Sequence, residues 1–556
     1  MQIDTTPDRQ TYQTLHQRIY RCARLVCTIF LLAPTLAQPQ SQTQPISQQA
    51  SASTSTNPDV IAPITAPFAM PQLARPQFPA KDFNIRNFGA VEGGKVINSD
   101  AIRKTIETAS NAGGGRVVIP NGRWLTGAIH LLDNVNLYVS GGAELLFSQD
   151  PKDYLPTVFS RHEDTECYKY SAFIYADGKT NIAITGDGIL NGQGKPWWDW
   201  KQSKKQSEQK LEEMGRNNVP VRERVFDGTD ARVLRPAFFQ PMNCKNVLVE
   251  GVTFLYGAFW TITPTYCENV IVRKVKITTN GPYGHAPNGD GVDPSSCKNV
   301  LIEDCQFDTG DDCIAIKAGR DKDGLRVARP TENVVVRNCV GLQGHGGIVI
   351  GSETSGSIRN IFAYDCRFNG TERIVRIKTA RGRGGIIENM WFRHLSADTI
   401  QLEVLHINML YTGNRLPAEA VTQTTPKIRN IHFANISCSF GRKTGIEILG
   451  LPEMPVEDVT FDSISIASAR GIVCDDANNI RFANIIMRPT SGPLVSLLDC
   501  DSITIDRLDI SQGIVPALFV DGAKTKNISV TNTNLSLSSN AVQFSAVASH
   551  DAVTIK

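Results

Sequence analysis

Along most of this chain, β-branched and other apolar residues recur on a two-residue period in short bursts, separated by Gly, Asn and Asp. That pattern predicts short strands joined by turns. From about residue 240 the bursts share one phrase. It reads Asn246-Val-Leu-Val, Asn269-Val-Ile-Val, Asn299-Val-Leu-Ile, Asn333-Val-Val-Val and Asn360-Ile-Phe-Ala, with later copies at Asn430, Asn479 and Asn527. Consecutive copies lie roughly 20 to 35 residues apart, a period that means a solenoid. Helical patterns are almost absent, so each repeat is a coil of short strands. One coil cannot bury its apolar face alone, and stacking makes a single continuous core. The predicted fold is all-β, a right-handed single-stranded parallel β-helix with a short N-terminal capping helix. The cap is expected over residues 99–111, with Ser99 as N-cap, Ala101, Ile102, Ile106 and Ala109 on one face, and Gly113-Gly114-Gly115 as the stop. Strands at 117–120, 128–132 and 135–139 would begin the first coils.

The cysteines keep the same phase. Cys244, Cys267 and Cys297 each precede a repeat Asn by two positions, and Cys305, Cys339 and Cys366 each follow one by six. Stacking would bring them into rows, which suits small apolar core residues. A disulfide framework is the competing reading. There is no CxxC and no Cys/His metal spacing.

Composition narrows the function. The formal charge is +2, with 57 basic and 55 acidic residues, and no basic run grips nucleic acid. An anionic partner therefore needs a local basic cluster. The N-terminus reads as an export signal over 1–37: Arg18, Arg21 and Arg24 precede an apolar run from Leu25 to Leu36, and Ala37 offers a cleavage site. The run is about 12 residues long against the roughly 20 of a membrane span. The expected location is secreted or periplasmic, with no membrane attachment after cleavage. Residues 38–80 are rich in Gln, Ser, Thr and Pro without periodicity and read as a disordered linker. The catalytic domain is placed at 81–556.

Four polar phrases interrupt the apolar pattern: Asn288-Gly-Asp290-Gly-Val-Asp293, Gly310-Asp311-Asp312, Gly344-His345-Gly346-Gly347, and Arg376-Ile377-Lys378. The repeat asparagines put them in successive coils, and adjacent strands lie about 4.8 Å apart. Arg376 and Lys378 would face one side with Ile377 inward, giving two cations to hold a sugar carboxylate. Asp311 and Asp312 pose a difficulty, because strand neighbours point opposite ways. Gly310 suggests a bulge that turns both outward. Crowded carboxylates suit glycosidic cleavage: like charges separate the pKa values of a proton donor and a water-activating base. Asn288 reads equally as a substrate contact or a turn residue. Asp293 reads as a turn or surface residue, and Lys317 as a solvated strand end.

These phrases resemble glycoside hydrolase family 28, the polygalacturonases and their relatives, over roughly residues 81–530. The family pattern is Asn-Thr-Asp, Gly-Asp-Asp, Gly-His-Gly and Arg-Ile-Lys, and the one departure is Gly289 in place of Thr. The resemblance implies that Asp311 is the general acid and that Asp290 and Asp312 position and deprotonate water. It also implies that His345 tunes the acid and that Arg376 and Lys378 bind the galacturonate carboxylate. The implied reaction is inverting hydrolysis of α-1,4-galacturonosidic bonds in pectin without a cofactor or metal, with an acidic polysaccharide or oligogalacturonide as partner. An inverting pair is expected roughly 6.5–9.5 Å apart. A bacterial exo-acting member is the expected type. A rhamnogalacturonan-directed hydrolase of the same family remains an alternative. So do a pectate lyase, although no Arg-x-Pro-x-x-Arg phrase occurs, and a non-catalytic pectin-binding solenoid. A polar insertion at about 195–236, with Trp197, Trp198, Trp200 and a helical stretch from Lys201 to Met214, is a candidate wall across one end of the groove or a surface decoration. The oligomeric state is not legible.

Overall fold

The computed structural model describes residues 60–556, apart from 283, 412, 510–514 and 534–539. The leader expected over 1–37, and the linker as far as residue 59, lie outside the described residues.

The chain winds into a parallel β-helix, right-handed as parallel crossovers are. Its first turns carry the strands Gly115–Ile119 and Val135–Val139, and its last regular strand is Val553–Ile555. Middle coils contribute three short strands, as Lys298–Glu303, Gln306–Asp308 and Ile314–Ile316 do, later ones merge into long strands such as Lys427–Leu449, and corresponding strands pair in parallel register. One inward row runs Val247, Val270, Val300, Val334, Ile361, Met390, Ile431, Val459, Ile480 and Ile503. Another is aromatic: Phe392, Phe433, Phe461 and Phe482 stack with centroids 5.0, 4.8 and 5.1 Å apart. The cysteines do sit in the core rows. Among the described residues 11 are present, all buried and all free.

The repeat asparagine has a physical job. Asn246, Asn269, Asn299 and Asn333 adopt φ of 54°, 57°, 57° and 60°, the left-handed turn that Asn tolerates. Each side-chain amide donates to the Oδ1 of the asparagine one coil earlier, at 2.9, 3.1, 3.1 and 3.0 Å. The ladder continues through Asn360, Asn389 and Asn430.

The cap forms as the helix Ser99–Asn111, with Ile102, Ile106 and Ala109 buried on the end of the core. Its N-cap is Asn98 rather than Ser99, and Asn98 spends its side chain on the backbone of Val91, Val96 and Leu125. Ser99 Oγ instead accepts from Gly127 N at 2.8 Å.

The linker expected over 38–80 requires correction from residue 60 onward. These residues form a strap on the outside of the solenoid, inside one compact unit that spans Pro58–Lys556. Ile61 and Leu73 are buried against an outward apolar row of Ala183, Leu248, Ile271, Leu301, Val335 and Phe362. Arg337 donates to the Ala62 and Pro63 carbonyls, both at 2.9 Å. Beyond Trp391, which meets Phe68 of the strap, the same row turns to His432, Thr460 and Arg481. The row is apolar where the strap covers it and polar where water does. A search for internal periodicity misses such a segment, because its partners are on another element.

Candidate active site

The four polar phrases fall on successive coils. Val292, Ile314, Ile348, Val375 and Leu405 are neighbours across the ladder. Asp290, the Asp311–Asp312 pair, His345 and Arg376 therefore rise one rung at a time along one sheet. The nearest oxygens of Asp290, Asp311 and Asp312 lie within 4.8 Å of one another. That is tighter than the roughly 6.5–9.5 Å expected of an inverting pair, so these carboxylates form one cluster rather than two opposed groups.

The bulge expected at Gly310 is not how the pair is displayed. The strand begins only at Ile314, so Asp311 and Asp312 occupy the turn before it and strand alternation does not apply. Gly310 serves close approach: a Cβ there would stand 2.4 Å from the Ala286 carbonyl oxygen. The side chains divide by depth. Asp311 is 20% exposed, whereas Asp312 is 1% exposed. Gly289, the departure from the family phrase, is also fixed by space, since a Cβ would meet Thr279 Oγ1 at 2.6 Å. The Thr279 hydroxyl donates to the Gly289 carbonyl at 2.9 Å and accepts from Gly310 N at 2.8 Å. One buried hydroxyl thus locks the Asp290 turn to the Asp311 turn.

Each carboxylate has a different partner. His345 Nδ1 lies 3.0 Å from Asp311 Oδ1. Lys378 Nζ donates to Asp312 Oδ2 at 2.7 Å. Lys317 Nζ lies 3.7 Å from Asp290 Oδ2 and 3.2 Å from Glu353 Oε2, and 4.3 Å above the Trp260 ring. Burial, with Asp293 and Asp311 nearby, pushes the Asp290 carboxyl well above the usual range against the pull of Lys317. Burial would raise Asp311 too, but the His345 hydrogen bond and charge, with Lys378 and Lys317, bring it down to about 2. The Asp311 hydrogen bond lifts His345 to about 9 against the opposing effect of burial. Both shifts favour the ion-paired form of Asp311 and His345. Asp290 Oδ1 and Asp312 Oδ1 are buried and accept no hydrogen bond among the described residues.

The residues behind the cluster are the ones that sequence reasoning misplaced. Lys317, expected as a solvated strand end, is 3% exposed, and its environment keeps it charged. Asp293, expected at a turn or surface, is 1% exposed. A signal existed for Lys317: Ile316 and Ile377 share the inward register, so Lys317 and Lys378 hold the same position two coils apart. Arg376 is half-buried, 6.0 Å from the Tyr411 ring, while Ile377 is wholly buried as expected. Lys378 is on the same side but committed to Asp312, so the two cations are not equivalent. Asn288 sits at φ 53°, and its Oδ1 accepts from Arg235 Nη2 at 2.7 Å.

A buried cluster packs beside the turn that carries Asp290, where Arg235 donates to the Pro287 carbonyl and to Asn288 Oδ1. His162 stacks on Phe259 at 4.5 Å, and the Arg235 guanidinium lies 4.8 Å from the same ring. His162, Arg235, Phe259 and Lys169 are each 1% exposed. His162 and Lys169 come from the hairpin Val158–His162/Thr165–Lys169, Arg235 from the end of the insertion, and Phe259 from the loop between the strands Thr253–Leu255 and Glu268–Arg273. The insertion contributes the helix Lys205–Arg216, whose Glu208 reaches Arg235 at 3.6 Å.

Comparison with known proteins decides the family. The family description "Glycosyl hydrolases family 28" matches residues 227–483. A probable polygalacturonase of Vitis vinifera is 30% identical over 420 residues, covering 72% of this chain and 78% of its own. The chain belongs to glycosyl hydrolases family 28. A hyperthermoactive exopolygalacturonase from Thermotoga maritima shares this family 28 fold with a TM-score of 0.69 and 38% identity, over 75% of this chain and 94% of the other. An exo-poly-alpha-D-galacturonosidase of Dickeya chrysanthemi is 25% identical over 74% of this chain and 72% of its own. As a family 28 member the protein is a glycoside hydrolase, and the carboxylate cluster lies inside the matched region. Within this family 28 site, two lysines supply countercharge to the three carboxylates.

Proposed function

We propose that this glycosidase hydrolyses α-1,4-galacturonosidic bonds of pectic galacturonan, from a chain end and with inversion. The observation that carries the reading is the carboxylate cluster with a different partner for each member. Arg376, one rung from His345, is the cation left to take the sugar carboxylate. Asp311 is the proton donor to the leaving oxygen. Its proton is stored on His345 Nδ1, 3.0 Å away, and passes through Asp311 as the glycosidic bond breaks. Asp290 and Asp312 hold the attacking water. The raised Asp290 makes the stronger base once ionised. Inversion requires this water to attack the sugar face opposite the leaving oxygen, with no covalent intermediate. Neither Asp290 nor Asp312 has the exposure to attack the sugar itself, at 2% and 1%.

Action from a chain end is supported by the buried cluster of His162, Phe259 and Arg235 beside Asp290, read as a wall across one end of the groove. The similarity to exo-acting relatives supports the same reading. The leader read over 1–37 fits a polymer substrate met outside the cytoplasm. Incubation with polygalacturonate, with chromatography of early products, tests the proposal. Short products of one size are expected from the first minutes. A ladder of oligomers would refute exo action, and an absence of new reducing ends would refute the substrate. Proton NMR of the first-formed anomer tests inversion.

A further inference from the structure

His345 sits in a turn that has little of its own to hold it. Gly344, Gly346 and Gly347 surround it. A Cβ on Gly346 would stand 2.4 Å from Val349, and one on Gly347 2.3 Å from Phe368, so no side chain fits there to lock the backbone. The turn is fixed from the two neighbouring coils instead. On one side His345 N donates to the Asp311 carbonyl at 3.0 Å. On the other, the turn that enters the strand Val375–Lys378 joins it through three bonds. Glu372 N donates to the Gly344 carbonyl at 2.8 Å, and Gly347 N donates to the Arg373 carbonyl at 2.9 Å. Arg373 Nη1 donates to the His345 carbonyl at 3.4 Å.

Only the last of these bonds comes from a side chain, and that side chain is itself held. The Arg373 guanidinium donates from Nε to Glu403 Oε2 at 2.9 Å and from Nη1 to Glu372 Oε2 at 2.8 Å, and its Nη2 lies 2.7 Å from Glu403 Oε2. Arg373 is 6% exposed and Glu403 5%, so neither presents a surface to a sugar. Burial would raise Glu403, but Arg373, His406 and Lys443 hold it below the usual carboxylate range, which keeps the anchor charged. A rigid planar fork bonded on three sides is something arginine provides and the single ammonium of lysine does not. The ionisable groups around His345 are Asp311 and Asp312 from one neighbouring coil and Glu372 and Arg373 from the other.

We propose that Arg373 is a positioning residue: anchored by Glu403, it holds the His345 carbonyl so that the imidazole stays within hydrogen-bonding reach of Asp311. This role rests on the reading of His345 as the proton store given above. Charge and position act on His345 with different signs. Loss of a nearby cation favours the imidazolium and would move His345 upward. Drift of the imidazole away from Asp311 removes the bond that lifts it to about 9, and moves it down towards its ordinary value of about 6.5. The test uses the full-length enzyme and Arg373→Lys, which keeps a cation for Glu403 but does not span to the His345 carbonyl. An NMR titration of the His345 imidazole, assigned by its absence in His345→Gln, should give a midpoint about one pH unit or more below the parent. On polygalacturonate kcat should fall about tenfold or more, KM should stay within about twofold, and the urea midpoint should stay near that of the parent. The double variant Arg373→Gln/Glu403→Gln removes both charges of the anchor together, and should show the same downward move if Arg373→Lys does not fold. A midpoint equal to or above the parent's in the folded variant would overturn the inference, even where kcat had fallen. A parent that cleaves no polygalacturonate would instead refute the galacturonan reading, while the titration, which needs no substrate, would still decide the role of Arg373.

Discussion

Replacing Lys317 with methionine removes the cation beneath the carboxylate cluster and keeps much of the side chain's length. Its Nζ lies 3.2 Å from Glu353 and 3.7 Å from Asp290, with the side chain 4% exposed. At 3.2 Å a unit charge pair attracts by about 5 kcal/mol at an effective dielectric constant near 20. The desolvation of the ammonium offsets much of that attraction. The loss on substitution is therefore dominated by the carboxylates left unpaired in the interior. Removing one partner of a buried pair costs about 3–5 kcal/mol, and urea unfolding near neutral pH should read that decrease. The penalty carries a pH signature. Burial alone would raise Glu353, but Lys317, Arg383 and Arg320 hold it well below the usual carboxylate range. A carboxylate depressed in the folded state contributes stability above its unfolded pKa, and that stability is lost as pH falls through the folded value. Without Lys317, Glu353 moves back up. The gap between parent and variant should be widest near neutrality and narrow below about pH 4.5. Adding Glu353→Gln should restore part of the stability and none of the activity, because Asp290 still lacks its countercharge. A penalty under about 1 kcal/mol, equal at acid and neutral pH, would refute the reasoning.

His345→Gln should lower kcat by about 10²–10⁴-fold, because the proton store of Asp311 is gone. Since His345 is raised to about 9, the pair stabilises the fold fully below the unfolded value of about 6.5 and is lost as pH rises through about 9. Thermal melts should show a small decline in the parent across that window, under about 1 kcal/mol because His345 is half exposed, and none in the variant. Leu73→Asp should loosen the strap and cost about 1.5–3 kcal/mol by urea titration while kcat on polygalacturonate stays unchanged, since the strap packs on the row of Leu248, Ile271, Leu301 and Val335 and not on the strands that follow the carboxylates.

The coil repeat was legible because it is local: the Asn phrase, the strand period and the cysteine phase all lie within one turn of chain. The order of Asp290, Asp311, Asp312, His345 and Arg376 along the sheet followed from the same repeat. Depth was not legible. Nothing near Lys317 in the chain announces that Glu353, Asp290 and Trp260 enclose it, because they arrive from other coils. The division of Asp311 from Asp312 was hidden similarly, since it depends on where the strand begins rather than on Gly310 alone. The strap failed as a prediction because its sequence has no period of its own. Its order comes from a complementary apolar row about 120 to 330 residues downstream, a separation that no local window spans.

The asparagine ladder explains how so much variation fits into one scaffold. Asn181 and Asn246 are 65 residues apart and Asn246 and Asn269 only 23, yet their amide bonds measure 2.9 and 3.1 Å. Register is kept at a single corner of the coil, whatever length of chain intervenes. The other corners are then free to lengthen, and the insertion that carries Arg235 is spliced in between the ladder asparagines Asn181 and Asn246. Evolution could rebuild the surroundings of such a site by lengthening a loop without renegotiating the position of any catalytic side chain.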